Sequence, residues 1–196
     1  MKLQSVAQAG LTFSENSYDR DRYEQVRSLA VEIMHEYTGI SHEKLGDIFA
    51  GETGYQTPKI DVRAAVFRDG KILMVREKVD GKWSLPGGWA DVNSSLSESV
   101  IRECQEEAGA NVTPKRIIAI QLANRQNNSR LPYTIYKIFV ECDLVSVSFR
   151  ENTETLESDF FAPDSLPELS TNRNTSEQIE MCFRAKEQKL LEPVFD

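Results

Sequence analysis

With 196 residues, of which 40% are hydrophobic and 28% charged, the chain has the composition of a globular protein with a real core. Lysine and arginine number 23 against 31 aspartates and glutamates, a net charge of -8 that argues against a broad nucleic-acid-binding surface. No stretch reaches a membrane-spanning length, and the opening "MKLQSVAQAGLTF" lacks the apolar core of a secretory signal, so no membrane partner is expected.

The first fifty-odd residues read as helical. In "YDRDRYEQVRSLAVEIMHEYTG", Tyr23, Val26, Leu29, Ala30, Ile33, Met34 and Tyr37 recur at helical spacing, and Gly39 stops the pattern. Ser41 then suits the N-cap of a short helix carrying Leu45, Ile48 and Phe49. Gly51, Gly54 and Pro58 mark a linker, so residues 1–57 form a helical segment and 58–196 a second domain. Two amphipathic helices cannot bury their own stripes, which predicts packing on the second domain or on another subunit, a homodimer.

From Ile60 the period becomes that of strands. "IDVRAAVF" and "KILMVRE" flank Asp69-Gly70, a hairpin signal, and "VDGKW" supplies another turn. A helix follows, then strands in "RIIAIQLA" and "YTIYKIFVECDLV" around the polar loop "NRQNNSRLP". "ETLESDFFAP" reads as an edge strand and "NTSEQIEMCFRAKEQK" as a closing helix with Thr175 near its cap. This order predicts an α/β sandwich with a mixed sheet. Cys104, Cys142 and Cys182 show no CxxC spacing and read as buried thiols in a reducing cytoplasm.

The chemistry concentrates in "SLPGGWADVNSSLSESVIRECQEEAG", Ser84 to Gly109. Ser95 and Glu98 form a capping box, and Gly109 suits a left-handed C-cap. Glu103, Glu106 and Glu107 fall on one helix face at i, i+3 and i+4, with Val100, Ile101 and Cys104 on the other. Three glutamates more often form a solvated face. Here two of them sit at the helix C-terminus, where the macrodipole disfavours anions, and no lysine is interspersed. A hard divalent cation offsets both costs, and Mg²⁺ completes its shell with water and phosphate.

This stretch resembles the signature of the Nudix hydrolases, G-x5-E-x7-R-E-U-x-E-E-x-G-U, with U an apolar residue. Gly88, Arg102, Glu103, Glu106, Glu107 and Gly109 match its fixed letters. The resemblance implies the Nudix α/β/α sandwich, preceded here by the small helical segment, and Mg²⁺- or Mn²⁺-dependent cleavage of a nucleoside diphosphate linked to another group. It implies Glu103, Glu106, Glu107 and the Gly88 carbonyl as metal ligands, with Arg102, Glu103 and Glu107 in the catalytic set. The motif's first glutamate is Ser94 here. That glutamate commonly pairs with the arginine matching Arg102, and Glu98, four residues before Arg102, is the candidate replacement if the capping box does not hold it.

For the general base the sequence offers Glu154, beside Glu151 and Glu157, as well as the helix glutamates. Arg63 and Arg76 either face the phosphates or pair within the sheet, and Gly87 and Gly88 let backbone approach substrate or simply make a tight turn. Tyr133, Tyr136 and Trp83 are candidates for base stacking, and Arg125 and Arg130 for phosphate contact. The resemblance extends through "YDRDRYEQVRSLAVEIM", "TPKIDVRAAVF", "GKWSLPGGWADV" and "ENTETLESDFF" to a bacterial subgroup linked with ADP-ribose and CDP-choline pyrophosphatase activity. The alternatives are a nucleotide sensor without turnover, favoured by Ser94 alone, and a hydrolase of nucleoside triphosphates or RNA 5′ ends.

Overall fold

Asp69 and Gly70, at φ 51° and 74°, fold the chain back so tightly that Phe67 pairs with Ile72 and Arg68 with Lys71. This joins β1 (Lys59–Arg68) to β2 (Lys71–Glu77) through a two-residue turn with both φ values positive. The structure, a computed structural model, describes residues 1–127, 133–188 and 192–196. Its contacts divide these into two compact units: Met1–Lys59 with residues 133–134, and the remaining described residues from Ile60 onward.

In the first unit, α1 (Lys2–Phe13) adds a helix that the sequence periodicity did not single out. Next comes α2 (Ser17–Thr38), capped by the Asn16 side chain and ended by Gly39 at φ 70°. Ser41 caps the four-residue α3 (His42–Leu45), and a π-helical turn, Gly46–Ala50, continues it. Ala30, Leu45 and Phe49 form this unit's small core, with Met34 and Ile48 packed against them. The rest of the predicted stripe is not buried: Leu29, Ile33 and Tyr37 stay exposed, as do Leu3, Val6 and Phe13 of α1.

The second unit is a sheet with a helix on each face. After the short β3 (Trp83–Ser84) come α4 (Leu96–Ala108), β4 (Ala110–Leu122), α5 (Ala123–Gln126), β5 (Ile135–Val147), β6 (Thr155–Phe161), α6 (Ser176–Glu187) and β7 (Val194–Phe195). The strand order is β3-β2-β1-β5-β4-β7, with β6 on the free edge of β2. Parallel pairing of β7 with β4 among antiparallel neighbours makes the sheet mixed. β4 begins earlier than expected because a bulge accommodates Pro114, which cannot donate to the ladder.

Alternation along β1 sends Val62, Ala64 and Val66 to the face covered by Val100, Cys104 and Ala108 of α4. Ala65 faces the other side, with Ile179, Cys182 and Ala185 of α6. All three cysteines are buried free thiols in these two cores. Both capping boxes form, Ser95 with Glu98 on α4 and Thr175 with Gln178 on α6. No helix among the described residues is long and apolar enough to cross a membrane.

Candidate active site

Pro86–Ala90 runs along β1 and bonds to it through backbone: Val62 N–H donates to Gly88 O at 2.8 Å, Ala64 N–H to Pro86 O, and Ala90 N–H to Ile60 O. The approach is so close that a Cβ on Gly87 would lie 2.0 Å from the Val62 carbonyl oxygen, and Gly87 itself has φ 146°. Glycine is required there sterically. The strand thereby holds the Gly87 N–H where it donates to Glu107 Oε2 at 2.8 Å. From the other side, Asn152 Nδ2 donates to Glu106 O and Thr155 Oγ1 to Glu107 O, satisfying carbonyls at the end of α4. Gly109 closes that end at φ 60°.

The three glutamates differ in setting. Glu107 is 2% exposed, and burial, opposed by the Arg63 charge and the Gly87 N–H, pushes its carboxyl up to about 8. Burial also raises Glu103, against the pull of Arg102, whose Nη2 donates to Glu103 Oε1 at 2.8 Å. Glu106 is exposed, with Oε2 3.8 Å from Arg102 Nε. The glutamate face that the spacing sets opposite Val100, Ile101 and Cys104 is therefore only partly in solvent. Glu103 and Glu107 lie beneath the Gly87–Trp89 backbone rather than in solvent, because the strand carries that loop over the helix.

Arg102 also donates to Asp91 Oδ2 and lies 3.4 Å from Trp89 O. Glu98 is not its partner: the Glu98 carboxylate accepts from Ser95 N–H at 2.7 Å in the capping box, which holds it below the usual range. Ser94 N–H closes a turn onto Asp91 O. The carboxylate missing at Ser94 is thus supplied from three residues earlier by Asp91, which sequence reasoning missed.

Arg63 resolves in favour of pairing within the sheet. It is 2% exposed, its Nε and Nη2 donate to both oxygens of Asp61 at 2.7 and 2.8 Å, and Nη1 donates to Leu85 O. Burial works against its charge, but Asp61, Glu107 and Glu77 outweigh that and hold it above the ordinary arginine range. Arg76 is engaged by Gly81 O at 2.9 Å and Glu157 at 3.3 Å. Glu154 is exposed, one residue before the Thr155 that fastens α4. Trp83 is half-buried and packs edge-on against Phe161 at the margin of the core, the ordinary fate of a strand aromatic. Tyr136 and Arg125 are exposed, Tyr133 belongs to the first unit, and Arg130 lies outside the described residues.

A second buried polar group adjoins Arg63. Glu77, at the end of β2, accepts from Ser84 Oγ at 2.6 Å and pairs with Arg173 Nη2 at 3.0 Å. Lys137 on β5 donates to Arg173 O and Asn127 Oδ1, and burial, aided by the Arg63 charge, lowers its ammonium to about 7.

Among the described residues, no three His, Cys, Asp or Glu side chains form a converged metal-binding group. Glu103 turns to Arg102 and Glu107 to Gly87. The donor chemistry nevertheless fits a hard divalent cation. Carboxylates at Glu103 and Glu107 lie against the Gly87-Gly88 backbone, Glu106 follows on the same helix face, and Gly88 O spends one lone pair on Val62 and keeps another. Burial of two of these carboxyls is a cost that a cation would relieve.

Two families match the chain: the NUDIX domain over residues 57–182, and a UDP-X-like N-terminal oligomerisation domain over residues 1–49. A Bacillus subtilis (strain 168) protein named "Putative ADP-ribose pyrophosphatase YjhB" is 43% identical over 182 residues, 93% of this chain and 88% of that protein. Among solved structures, an ADP-ribose pyrophosphatase from Streptococcus suis is 44% identical with a TM-score of 0.67, over 71% of this chain and all of that one. A UDP-X diphosphatase is 33% identical with the same TM-score of 0.67, over 100% of this chain and 95% of its own.

Proposed function

The chain belongs to the Nudix hydrolase family, and we propose that it cleaves the diphosphate bridge of a nucleoside diphosphate linked to another moiety, with ADP-ribose as first substrate and CDP-choline as second. The observation that carries this reading is the buried Glu107, fixed by the Gly87 N–H at 2.8 Å, beside a Glu103 held by Arg102. The relatives named as ADP-ribose pyrophosphatases support the first substrate. The UDP-X diphosphatase, similar over the whole chain, adds a UDP-linked sugar to the substrates worth testing.

Glu103, Glu106, Glu107 and the Gly88 carbonyl would hold Mg²⁺ or Mn²⁺. When bound, that ion supplies Lewis acidity that neutralises diphosphate charge and activates water. The chain's own residues do the positioning. Arg102, tied to Asp91, orients Glu103, and the Gly87 N–H orients Glu107. Glu107, a carboxylate once it holds the ion, is the first proposed base for a proton from water. Glu154 is a second proposed base, on the segment that fastens α4. Water adds across the P–O–P bridge, so ADP-ribose yields AMP and ribose 5-phosphate.

The exposed apolar positions of α1 and α2, with the match to an oligomerisation domain, support a homodimer through the first unit. Three buried free thiols and the absence of a membrane-length helix among the described residues are compatible with a cytoplasmic protein. The sensor reading loses its motive, because Arg102 has a carboxylate partner despite Ser94.

The test is incubation with Mg²⁺ and, separately, ADP-ribose, CDP-choline, a UDP-sugar and a nucleoside triphosphate, with products resolved by chromatography. AMP from ADP-ribose is expected, and Glu107→Gln should abolish it while the circular dichroism spectrum is retained. Cleavage of the triphosphate alone, or full turnover by Glu107→Gln, would refute the proposal.

A further inference from the structure

Glu77 is a carboxylate in the wrong place for stability. It closes an apolar strand, is 1% exposed, and lies close enough to Glu107 for the two charges to repel. Removing such a charge from water costs more than one ion pair returns, so a buried carboxylate is better explained by what it holds. Glu77 holds Arg173, at 3.0 Å, with the Ser84 hydroxyl on its other oxygen.

Arg173 belongs to a segment sewn onto the backbone just before the Gly87-Gly88 turn. Trp83 N–H donates to Glu168 O, Ser170 N–H to Trp83 O, and Arg173 N–H to Ser170 O. Leu85 N–H donates to Asn174 Oδ1 at 2.9 Å. The Arg173 backbone is therefore fixed relative to Pro86–Gly88, and its carbonyl is further engaged by Lys137. Its side chain remains 31% exposed, unlike that of Arg63. A guanidinium carries five N–H donors in a planar fork, and a single ion pair does not exhaust them.

We infer that Arg173 is a binding residue for the diphosphate of the substrate, and that Glu77 is the positioning residue that sets its fork. This rests on the pyrophosphatase reading above. Arg63, buried and held by Asp61 and Leu85, offers no accessible face, and Arg76 is engaged at Gly81 and at the exposed Glu157. Among these three arginines, Arg173 alone combines a buried anchor with an accessible face, and that anchor, Glu77, lies near Glu107.

The test compares Arg173→Ala, Arg173→Lys and Glu77→Gln for kcat and KM on ADP-ribose with Mg²⁺, for Kd of inorganic pyrophosphate by calorimetry, and for Tm. Arg173→Ala should raise KM and the pyrophosphate Kd about tenfold or more, as expected for lost charge-assisted hydrogen bonds. Arg173→Lys should recover part of that loss. Glu77→Gln should raise KM several-fold, the change falling more on KM than on kcat. If Glu77→Gln does not fold, the two Arg173 variants decide. A lowered Tm with unchanged KM and pyrophosphate Kd would make the pair a structural contact only and overturn the inference. Should the wild type cleave no nucleoside diphosphate derivative, the proposed function fails, and the pyrophosphate titration still decides on Arg173.

Discussion

Two adjacent glycines should fail in different ways when given a methyl group. At Gly87 the new Cβ would sit 2.0 Å from the Val62 carbonyl oxygen and 3.0 Å from Arg63 Cα, both backbone of a central strand. Neither can move without breaking the ladder. The φ of 146° lies in a region essentially reserved for glycine, which costs about 1–3 kcal/mol. Displacing the Gly87 N–H from Glu107 strands a buried carboxylate oxygen, adding about 1–3 kcal/mol. The sum, about 2–6 kcal/mol, converts to a Tm loss of about 5–20 °C for a chain of this size. At Gly88 the Cβ would meet Glu103 Oε2 at 2.9 Å, the far end of a flexible side chain, with no positive φ to strain. Gly88→Ala should therefore cost less than about 1 kcal/mol, while displacing Glu103 lowers kcat by about a hundredfold. Differential scanning fluorimetry and steady-state kinetics on both variants separate the two effects. Equal Tm values for Gly87→Ala and wild type would refute the reasoning, as would a Gly88→Ala enzyme of normal kcat.

Asp91→Ala removes a carboxylate from a partly exposed pair, so Tm should move by no more than about 1 kcal/mol allows, whereas kcat should fall about tenfold as Arg102 loosens its hold on Glu103. Adding Ser94→Glu to Asp91→Ala should restore part of that kcat, and full activity in Asp91→Ala alone would show that Arg102 needs no such support. Thr155→Val leaves the buried Glu107 carbonyl without its hydroxyl donor and should lower stability by about 1–3 kcal/mol, measured by urea unfolding; an unchanged midpoint would count against the fastening role given to Thr155.

Glu107 titrates near 8 in the metal-free fold against an ordinary 4.5, so between those values the folded chain keeps a proton that the unfolded chain has released. Its contribution to stability is full below the lower value and is lost as pH rises through the upper one. Mg²⁺ takes the place of that proton, so the Tm gain on adding Mg²⁺ should grow with pH, and calorimetry in two buffers near neutrality should register proton release. A Mg²⁺-induced gain that is flat across that pH range would mean that Glu107 does not exchange a proton for the metal.

What was legible in the sequence was local. A capping box, an Asp-Gly hairpin and an i, i+3, i+4 set of glutamates are each specified within a few residues, and Ser95, Gly70 and Glu103 to Glu107 stand as that spacing implies. The partner of Arg102 was not legible by the same rule. Glu98 satisfied the helical spacing, but its carboxylate was already committed to the Ser95 N–H, and a loop residue outside the helix supplied the charge instead. Burial of Glu107 was hidden for a related reason. Periodicity assigns a residue to a helix face but does not say what a distant strand carries over that face, and here β1 carries Gly87 across it. Arg173 lay deepest, in the polar run "STNRNTS", where nothing marks one cation from another. Its meaning comes from Glu77, 96 positions earlier, a residue that itself read only as the charged end of a strand. A buried acid at the end of an apolar run therefore carries information that alternation alone discards: it requires a partner, and the partner's remaining donors point to where an anion would bind.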